Sequence, residues 1–183
     1  MRQGLYAGIQ EGLPLTYDIA AKWLEQRGVQ LQSIAQIVYD LQRPYNHTLQ
    51  LEQCLDSVKA VMSKREVQYT LFTGIALDLM AEQKMLPDPL QSMLEADESL
   101  YGVDETLALG ITSMYGMIGL TSFGYLDKMK LGVLKELNED KQHIHVFLDD
   151  LVAGIAAAAS SRIAHQDEKA KQYPEYNLPD EGK

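Results

Sequence analysis

The sequence predicts an all-α protein with a single helical bundle, and three observations support this fold class. Apolar residues recur three and four positions apart along most of the chain, which is the spacing of one face of a helix. Runs with the strict alternation of a half-buried strand are scarce. The chain has 183 residues, 46% of them hydrophobic, which is enough for one sizeable core. We therefore predict one all-helical domain over residues 1–165 and a polar tail over residues 166–183.

The first two helices are predicted from their ends. Thr16 suits the N-cap of a helix that stops near Gly28, because a threonine hydroxyl satisfies free helix amides and a glycine readily ends a helix. A second helix is predicted over residues 31–42. Pro44 ends it, because the residue before a proline is disfavoured in the helical conformation.

The third, fourth and fifth helices follow from caps and prolines. Thr48 is predicted to open the third helix. The segment "SKRE", residues 63–66, has the spacing of a capping box, so we predict that a long fourth helix begins there and runs to Met80. A short fifth helix is predicted to start at Pro87 and Pro89 and to run to about Asp97.

The C-terminal half contains two apolar segments. Residues 103–120 are apolar and contain glycine, and the segment "SFGYLDKMKLG" then interrupts the pattern. The last helix is predicted over residues 147–165. Its alanine, glycine and serine residues between 153 and 161 leave little side-chain bulk, so neighbouring helices can approach its backbone closely. We predict that this helix is the centre of the bundle.

Charge and cysteine content restrict the classes of partner and compartment. The net charge of −10 should repel nucleic acid and anionic lipid unless a basic patch or a bound cation intervenes. Cys54 is the only cysteine, so no intrachain disulfide can form, and we expect a packed core thiol in a cytoplasmic protein. The best candidate stretch for a membrane-spanning helix is interrupted by Asp149 and Asp150, so we predict no membrane span.

Two pairs of adjacent acids stand at the start of apolar helices. Asp149 and Asp150 open the last helix, and Asp104 and Glu105 open an earlier one. A buried carboxylate costs several kcal/mol unless it is compensated, and a divalent cation is one way to compensate it. Ordinary capping of helix N-termini is the alternative explanation of each pair.

Two histidines form a further candidate cluster. His143 and His145 stand two residues apart in "QHIH", a spacing that suits a pair of loop ligands. No cluster of cysteine or histidine residues accompanies them, so loop histidines without a metal are the favoured interpretation.

Three segments carry a resemblance to a known family. In order along the chain, "GVDETLALG", "LDKMK" and "FLDDLVAGIAAAAS" resemble the conserved segments of the phosphatidylglycerophosphatase A family, in particular its soluble branch from Gram-positive bacteria. The resemblance covers roughly residues 70–165. It implies an all-helical bundle around a central helix and Mg²⁺-dependent removal of the terminal phosphate from phosphatidylglycerophosphate.

The resemblance also implies roles for individual residues. The acids would hold one or two Mg²⁺ ions, and the lysine would neutralise a phosphate oxygen. A metal-activated water would attack phosphorus, with Glu105 or Asp150 as its base. The residues that match the family's Asp-Glu, Asp-x-x-Lys and Asp-Asp motifs are Asp104, Glu105, Asp127, Lys130, Asp149 and Asp150.

The implied partner is a phosphorylated lipid or a small phosphomonoester, not nucleic acid. The implied location is the cytoplasm, with peripheral contact at the inner face of the membrane, and a homo-oligomer is compatible with the apolar stripes of the helices. The alternative function is a non-catalytic regulatory module that binds a metal or phosphate. An all-α nucleotide pyrophosphohydrolase ranks last, because its usual Glu-x-x-Glu spacing is not obvious in this chain.

Overall fold

The structure is a computed structural model that describes residues 17–166, and it confirms the all-α prediction. Within that range there are nine α-helices, one short 3-10 turn and no β-strand. Thr16, the predicted cap, and residues 167–183, most of the predicted tail, lie outside the described residues. The helices are α1 (Tyr17–Gln26), α2 (Leu31–Gln42), α3 (Leu51–Met62), α4 (Arg65–Glu82), α5 (Leu90–Ala96), α6 (Val103–Thr112), α7 (Gly116–Met129), α8 (Val133–Glu139) and α9 (Leu148–Gln166).

Helix α9 is the centre of the bundle, as the small residues predict. It packs against α2, α3, α4, α6, α7 and α8, and nearly all of its residues are buried. The approach of α6 is close: a Cβ added at Gly154 would lie 3.2 Å from the carbonyl oxygen of Ala108. The buried hydroxyl of Ser160 accepts a hydrogen bond of 2.7 Å from the Gln42 amide, so at least this polar side chain on α9 is paired.

Helices α6 and α7 form a hairpin that packs along α9. The 3-10 turn Ser113–Tyr115 joins the two helices, and Gly116 follows it with a φ of +73°, a conformation that glycine adopts without strain. The Ser161 hydroxyl donates a hydrogen bond of 2.7 Å to the carbonyl oxygen of Tyr115, which fixes the tip of the hairpin near the C-terminal end of α9. The two open ends of the hairpin therefore lie at the N-terminal end of α9.

The hairpin corrects two expectations from the sequence. The helical pattern breaks at Ser113, not at Ser122, and the segment "SFGYLDKM" belongs to α7. The segment Val103–Met129 is also the one part of the described chain that is long and apolar enough to cross a membrane by composition, and 28% of its most apolar window is buried. This segment lies well before Asp149, near which the sequence had suggested the most apolar stretch. In this structure the turn folds it back into two shorter helices.

Helix ends and short helices account for the other corrections. Ser63 does not cap α4, because its hydroxyl donates to the carbonyl oxygen of Lys59 at 2.7 Å. A capping box is present at α3 instead, between Gln50 and Gln53, so that helix begins at Leu51 and not at Thr48. Helix α8 was not predicted, since its seven residues are too few to show a period.

Candidate active site

The six residues singled out by the acidic motifs meet at one end of the bundle. Two acids lie in the first turn of α9, two lie in the first turn of α6, and the others lie at the C-terminal end of α7. Asp127 and Lys128 lie in the last turn of α7, and Lys130 lies just beyond it. Three helix ends therefore supply the site, which contains Asp104, Glu105, Asp127, Lys130, Asp149 and Asp150.

Lys130 is the cation of this site. It ends α7 in the left-handed conformation, with a φ of +47°. Its Nζ lies 2.8 Å from Asp127 Oδ1, 2.8 Å from Asp149 Oδ2 and 3.6 Å from Asp150 Oδ1. Burial lowers the pKa of Lys130, but these carboxylates outweigh burial and raise its pKa above the ordinary value. The lysine is therefore charged at any physiological pH.

Asp104, Glu105 and Asp150 form a second part of the site, in which only Asp150 lies near a lysine, 3.6 Å from Lys130 Nζ. One carboxylate oxygen from each lies within 4.8 Å of the others. Asp104 Oδ1, Glu105 Oε2 and Asp150 Oδ1 are buried and have no hydrogen-bond partner in the part of the chain that the structure describes. Buried oxygens that converge without a donor are the ligand set that a hard divalent cation prefers.

Burial and mutual repulsion change the proton affinity of these acids. Burial and the neighbouring Glu105 carboxylate raise the pKa of Asp104 to about 7. Burial and the charge of Asp149 raise the pKa of Asp150 to about 8. Protein groups alone therefore do not stabilise the fully ionised cluster at neutral pH, and a cation would supply the missing positive charge.

Asp78 in α4 is a residue of this region that the sequence analysis missed. It is fully buried, and its two carboxylate oxygens accept the backbone N–H groups of Phe147 and Leu148 at 3.1 and 3.0 Å. Burial raises its pKa to about 8, although these two hydrogen bonds act in the opposite direction. Asp78 thus caps the start of α9 from a neighbouring helix and fixes the position of Asp149. The available signal was a lone acid within the apolar run "GIALDLMA".

The loop before α9 is held by a second set of polar contacts. The Arg27 guanidinium donates to Glu82 Oε1 at 2.6 Å and to the carbonyl oxygen of Ile144 at 2.8 Å. Glu82 Oε1 also accepts the backbone N–H of Ile144 at 2.9 Å. The ends of α1 and α4 therefore hold the chain just before it enters α9.

The two histidines of the sequence analysis belong to the same loop. Asp140 Oδ2 lies 2.7 Å from His143 Nδ1 and 3.1 Å from His145 Nε2. The Arg27 guanidinium lies 3.2 Å from His145 Nδ1 and can only donate, so that Nδ1 accepts and the proton of the neutral ring is on Nε2. This tautomer leaves no lone pair on Nε2 for a metal. The three side chains therefore stabilise the loop through hydrogen bonds, although they could otherwise offer ligands within 4.8 Å.

A cavity of about 280 Å³ reaches the site from the side of α5 and α8. Asp97, which ends α5, lies on one wall, and Asp149 lies at the site end. Loop residues Lys141 and His143 also line the cavity. The cavity gives a small polar molecule a route to Asp149.

These features define a class of protein, namely a helical bundle with a cluster of carboxylates that converge at the N-terminal end of its central helix. The family model for phosphatidylglycerophosphatase A matches residues 21–165. The chain belongs to this family, as its three sequence segments predict.

Relatives and solved structures share the sequence and the fold of this chain. YpjQ of Bacillus subtilis (strain 168) is 53% identical over 160 residues, which cover 85% of this chain and 90% of YpjQ. A solved structure of a protein of unknown function from Bacillus stearothermophilus superposes with a TM-score of 0.82 at 50% identity, and the match covers 85% of this chain and 97% of that one. The low temperature requirement C protein from Listeria monocytogenes gives 0.79 at 52% identity, over 81% and 94% of the two chains.

Proposed function

We propose that this protein is a Mg²⁺-dependent phosphomonoester hydrolase that removes the terminal phosphate of phosphatidylglycerophosphate. Membership of the family supports phosphatase chemistry on a phosphorylated lipid. The observation that carries the proposal is the set of three buried, unpartnered carboxylate oxygens of Asp104, Glu105 and Asp150 beside the Lys130 ammonium. The proposed place of action is the cytoplasmic side of the membrane, and a small soluble phosphomonoester is the other candidate substrate.

The acids have two proposed tasks. Asp104, Glu105 and Asp150 would hold one Mg²⁺, and Asp127 and Asp149 would complete that site or hold a second ion. The bound metal would supply positive charge to the phosphate oxygens and lower the pKa of water.

The other steps belong to side chains of this chain. Lys130 would exchange part of its contact with Asp127 and Asp149 for a phosphate oxygen and neutralise the charge there. Asp150 or Glu105 would accept the proton of the attacking water. Asp78 would act as a positioning residue through the first turn of α9.

The test is phosphate release by the purified protein. We expect hydrolysis of phosphatidylglycerophosphate in detergent micelles with Mg²⁺ and none with a chelator. Asp104→Asn and Asp149→Asn should each lower kcat/KM by about 100-fold or more, because a neutral amide compensates less of the cation charge. Asp56→Asn, at an exposed position on α3, is the matched control and should keep full activity.

Two outcomes would count against the enzyme. Turnover that survives both substitutions would remove these acids from the mechanism. No hydrolysis of any phosphomonoester, together with a melting temperature that Mg²⁺ does not change, would favour the non-catalytic module.

A further inference from the structure

The outer side of the α6–α7 hairpin is an exposed apolar surface, which we call the hairpin face. Met117 is 71% exposed, Met129 is 51% exposed and Tyr125 is 49% exposed, and none of these large side chains is needed in the core. The large apolar residues that make up the hairpin face are Leu109, Met114, Met117, Ile118, Tyr125 and Met129. Several large exposed apolar side chains on one pair of helices are typical of an interaction site.

The hairpin face also lacks charge. Residues 106–126 contain no acidic or basic residue, although charged residues make up 23% of the whole chain and its net charge is −10. An ordinary solvated helix carries charged residues on its outer side. The absence of charge therefore suits a surface that leaves water, and most of the remaining negative charge lies elsewhere on the molecule.

Cations stand at both ends of the hairpin face. Near the tip, Lys64 Nζ lies 4.8 Å from the centre of the Tyr115 ring. At the other end, Lys128 is exposed beside Met129, and the acids Asp104, Glu105 and Asp127 of the proposed active site lie nearby, where Lys130 contacts Asp127. Anionic headgroups would meet these lysines, whereas the net negative charge of the chain would disfavour other orientations on an anionic surface.

The hairpin face leads directly to the proposed active site. Met129 precedes Lys130 at the end of α7, and Val103, which is 44% exposed, precedes Asp104 at the start of α6. A phospholipid whose acyl chains stay in the bilayer can bring its terminal phosphate to Lys130 only if the site lies close to the membrane surface. A hairpin face seated on the bilayer would hold the site there, and a groove of about 770 Å³ that includes Ile118 and Tyr125 runs beside this face.

We propose that the protein lies on an anionic phospholipid bilayer through the hairpin face, so that a lipid phosphate reaches Lys130 while its acyl chains stay in the membrane. The choice of a lipid partner rests on the proposed function. The binding itself is independent of hydrolysis and can be measured alone. Apolar insertion and headgroup attraction together are the two contributions that hold a peripheral protein at an interface.

The experiment is cosedimentation of the full chain with vesicles of phosphatidylcholine, with and without phosphatidylglycerol. We expect binding to the anionic vesicles that weakens as salt is raised, because headgroup attraction is screened. Met117→Glu should lower the bound fraction at least about tenfold, because it forces a charge into the apolar interface. Met85→Glu is the control, since Met85 is 54% exposed after α4 and outside the hairpin face. Thermal melting checks that both variants are folded.

The outcomes separate this proposal from the proposed function. A wild-type protein that stays in the supernatant, or a Met117→Glu variant that binds as well as wild type, overturns the hairpin face as a membrane surface. So does a wild-type dimer that Met117→Glu converts to a monomer, since a second copy would then cover the face. Vesicle binding without hydrolysis of any lipid phosphate would overturn the proposed function only. Hydrolysis in micelles without vesicle binding would overturn the hairpin face only.

Discussion

At the scale of single residues, Lys130 is the group that makes the acidic site compatible with folding. Its ammonium contacts the carboxylates of Asp127 and Asp149 directly, and it lies near Asp150. Removal of the lysine would leave α9 starting with two acids that no other basic side chain within residues 17–166 contacts. Lys128, two residues earlier on the same helix end, is exposed and makes none of these contacts.

The first prediction uses this difference between the two lysines. Lys130→Met should lower the free energy of unfolding by about 2 kcal/mol in the presence of a chelator, somewhat less than for a fully buried pair that loses one partner. Lys128→Met should change it little. Urea denaturation with chelator measures both, and added Mg²⁺ should recover part of the loss in Lys130→Met. Equal stability of the two variants would show that Lys130 does not compensate the acids.

The residues of the site differ in how readily the amino-acid sequence identifies them. Adjacent acids at the starts of two apolar helices, such as Asp149 and Asp150, stand out because burying them demands an explanation. Asp78 does not stand out in the same way. Its task depends on two backbone N–H groups about 70 positions away in the chain, and no local pattern encodes which helix end a lone buried acid will cap.

At the scale of helices, the contact between α4 and α9 depends on one missing side chain. A Cβ added at Gly74 would lie 2.9 Å from Phe147 Cβ and would also press on Leu151. Gly110, within α6, has no neighbouring atom within 4 Å of an added Cβ. Gly74 therefore permits close packing of the two helices. Gly110 permits no close contact and lowers the stability of its helix.

The second prediction compares alanine at these two positions. Gly74→Ala should destabilise the protein by about 1–3 kcal/mol, because the methyl group overpacks the contact between the helices. Gly110→Ala should stabilise it by about 0.5–1 kcal/mol, because alanine favours the helical conformation and meets open space. Chemical denaturation of both variants tests this. Similar effects of the same sign would mean that close packing at Gly74 is not what the structure implies.

Helices with a clear apolar stripe were the predictable ones. Residues 31–42 were assigned correctly at both ends, because that helix has one apolar face and a proline soon after it. The sequence did not divide the α6–α7 hairpin into two helices, since its residues are apolar or small on every side and show no helical periodicity. Its turn depends on the positive φ of Gly116, a property that the sequence permits but does not require.

At the scale of the whole molecule, Arg27 and Glu82 join α1, α4 and the loop that enters α9. Burial raises the pKa of Glu82, but the hydrogen bond and charge of Arg27 and the N–H of Ile144 outweigh burial and lower the pKa below 4.5. A carboxyl group whose pKa is lower in the folded state stabilises the fold above its ordinary pKa. That contribution is lost as the pH falls through the lowered value.

The third prediction is the pH dependence of this contribution. Glu82→Gln should be less stable than wild type at neutral pH, and the difference should shrink as the pH falls below 4.5. Glu25→Gln, at an exposed position on α1, supplies the baseline. Denaturation curves at several pH values measure the difference. A gap between wild type and Glu82→Gln that stays constant down to pH 3 would contradict the ion pair as its source.

The order of the helices along the chain has a consequence for biosynthesis. Translation proceeds from the N-terminus, so the ribosome makes α1 to α8 before α9, the helix on which most of them pack. A nascent chain that has not yet reached Leu148 holds several amphipathic helices with no common partner, and such exposed apolar faces aggregate readily. Completion of the tertiary structure therefore waits for α9 to leave the exit tunnel, and chaperones that shield the emerging chain should affect its yield more than its final stability.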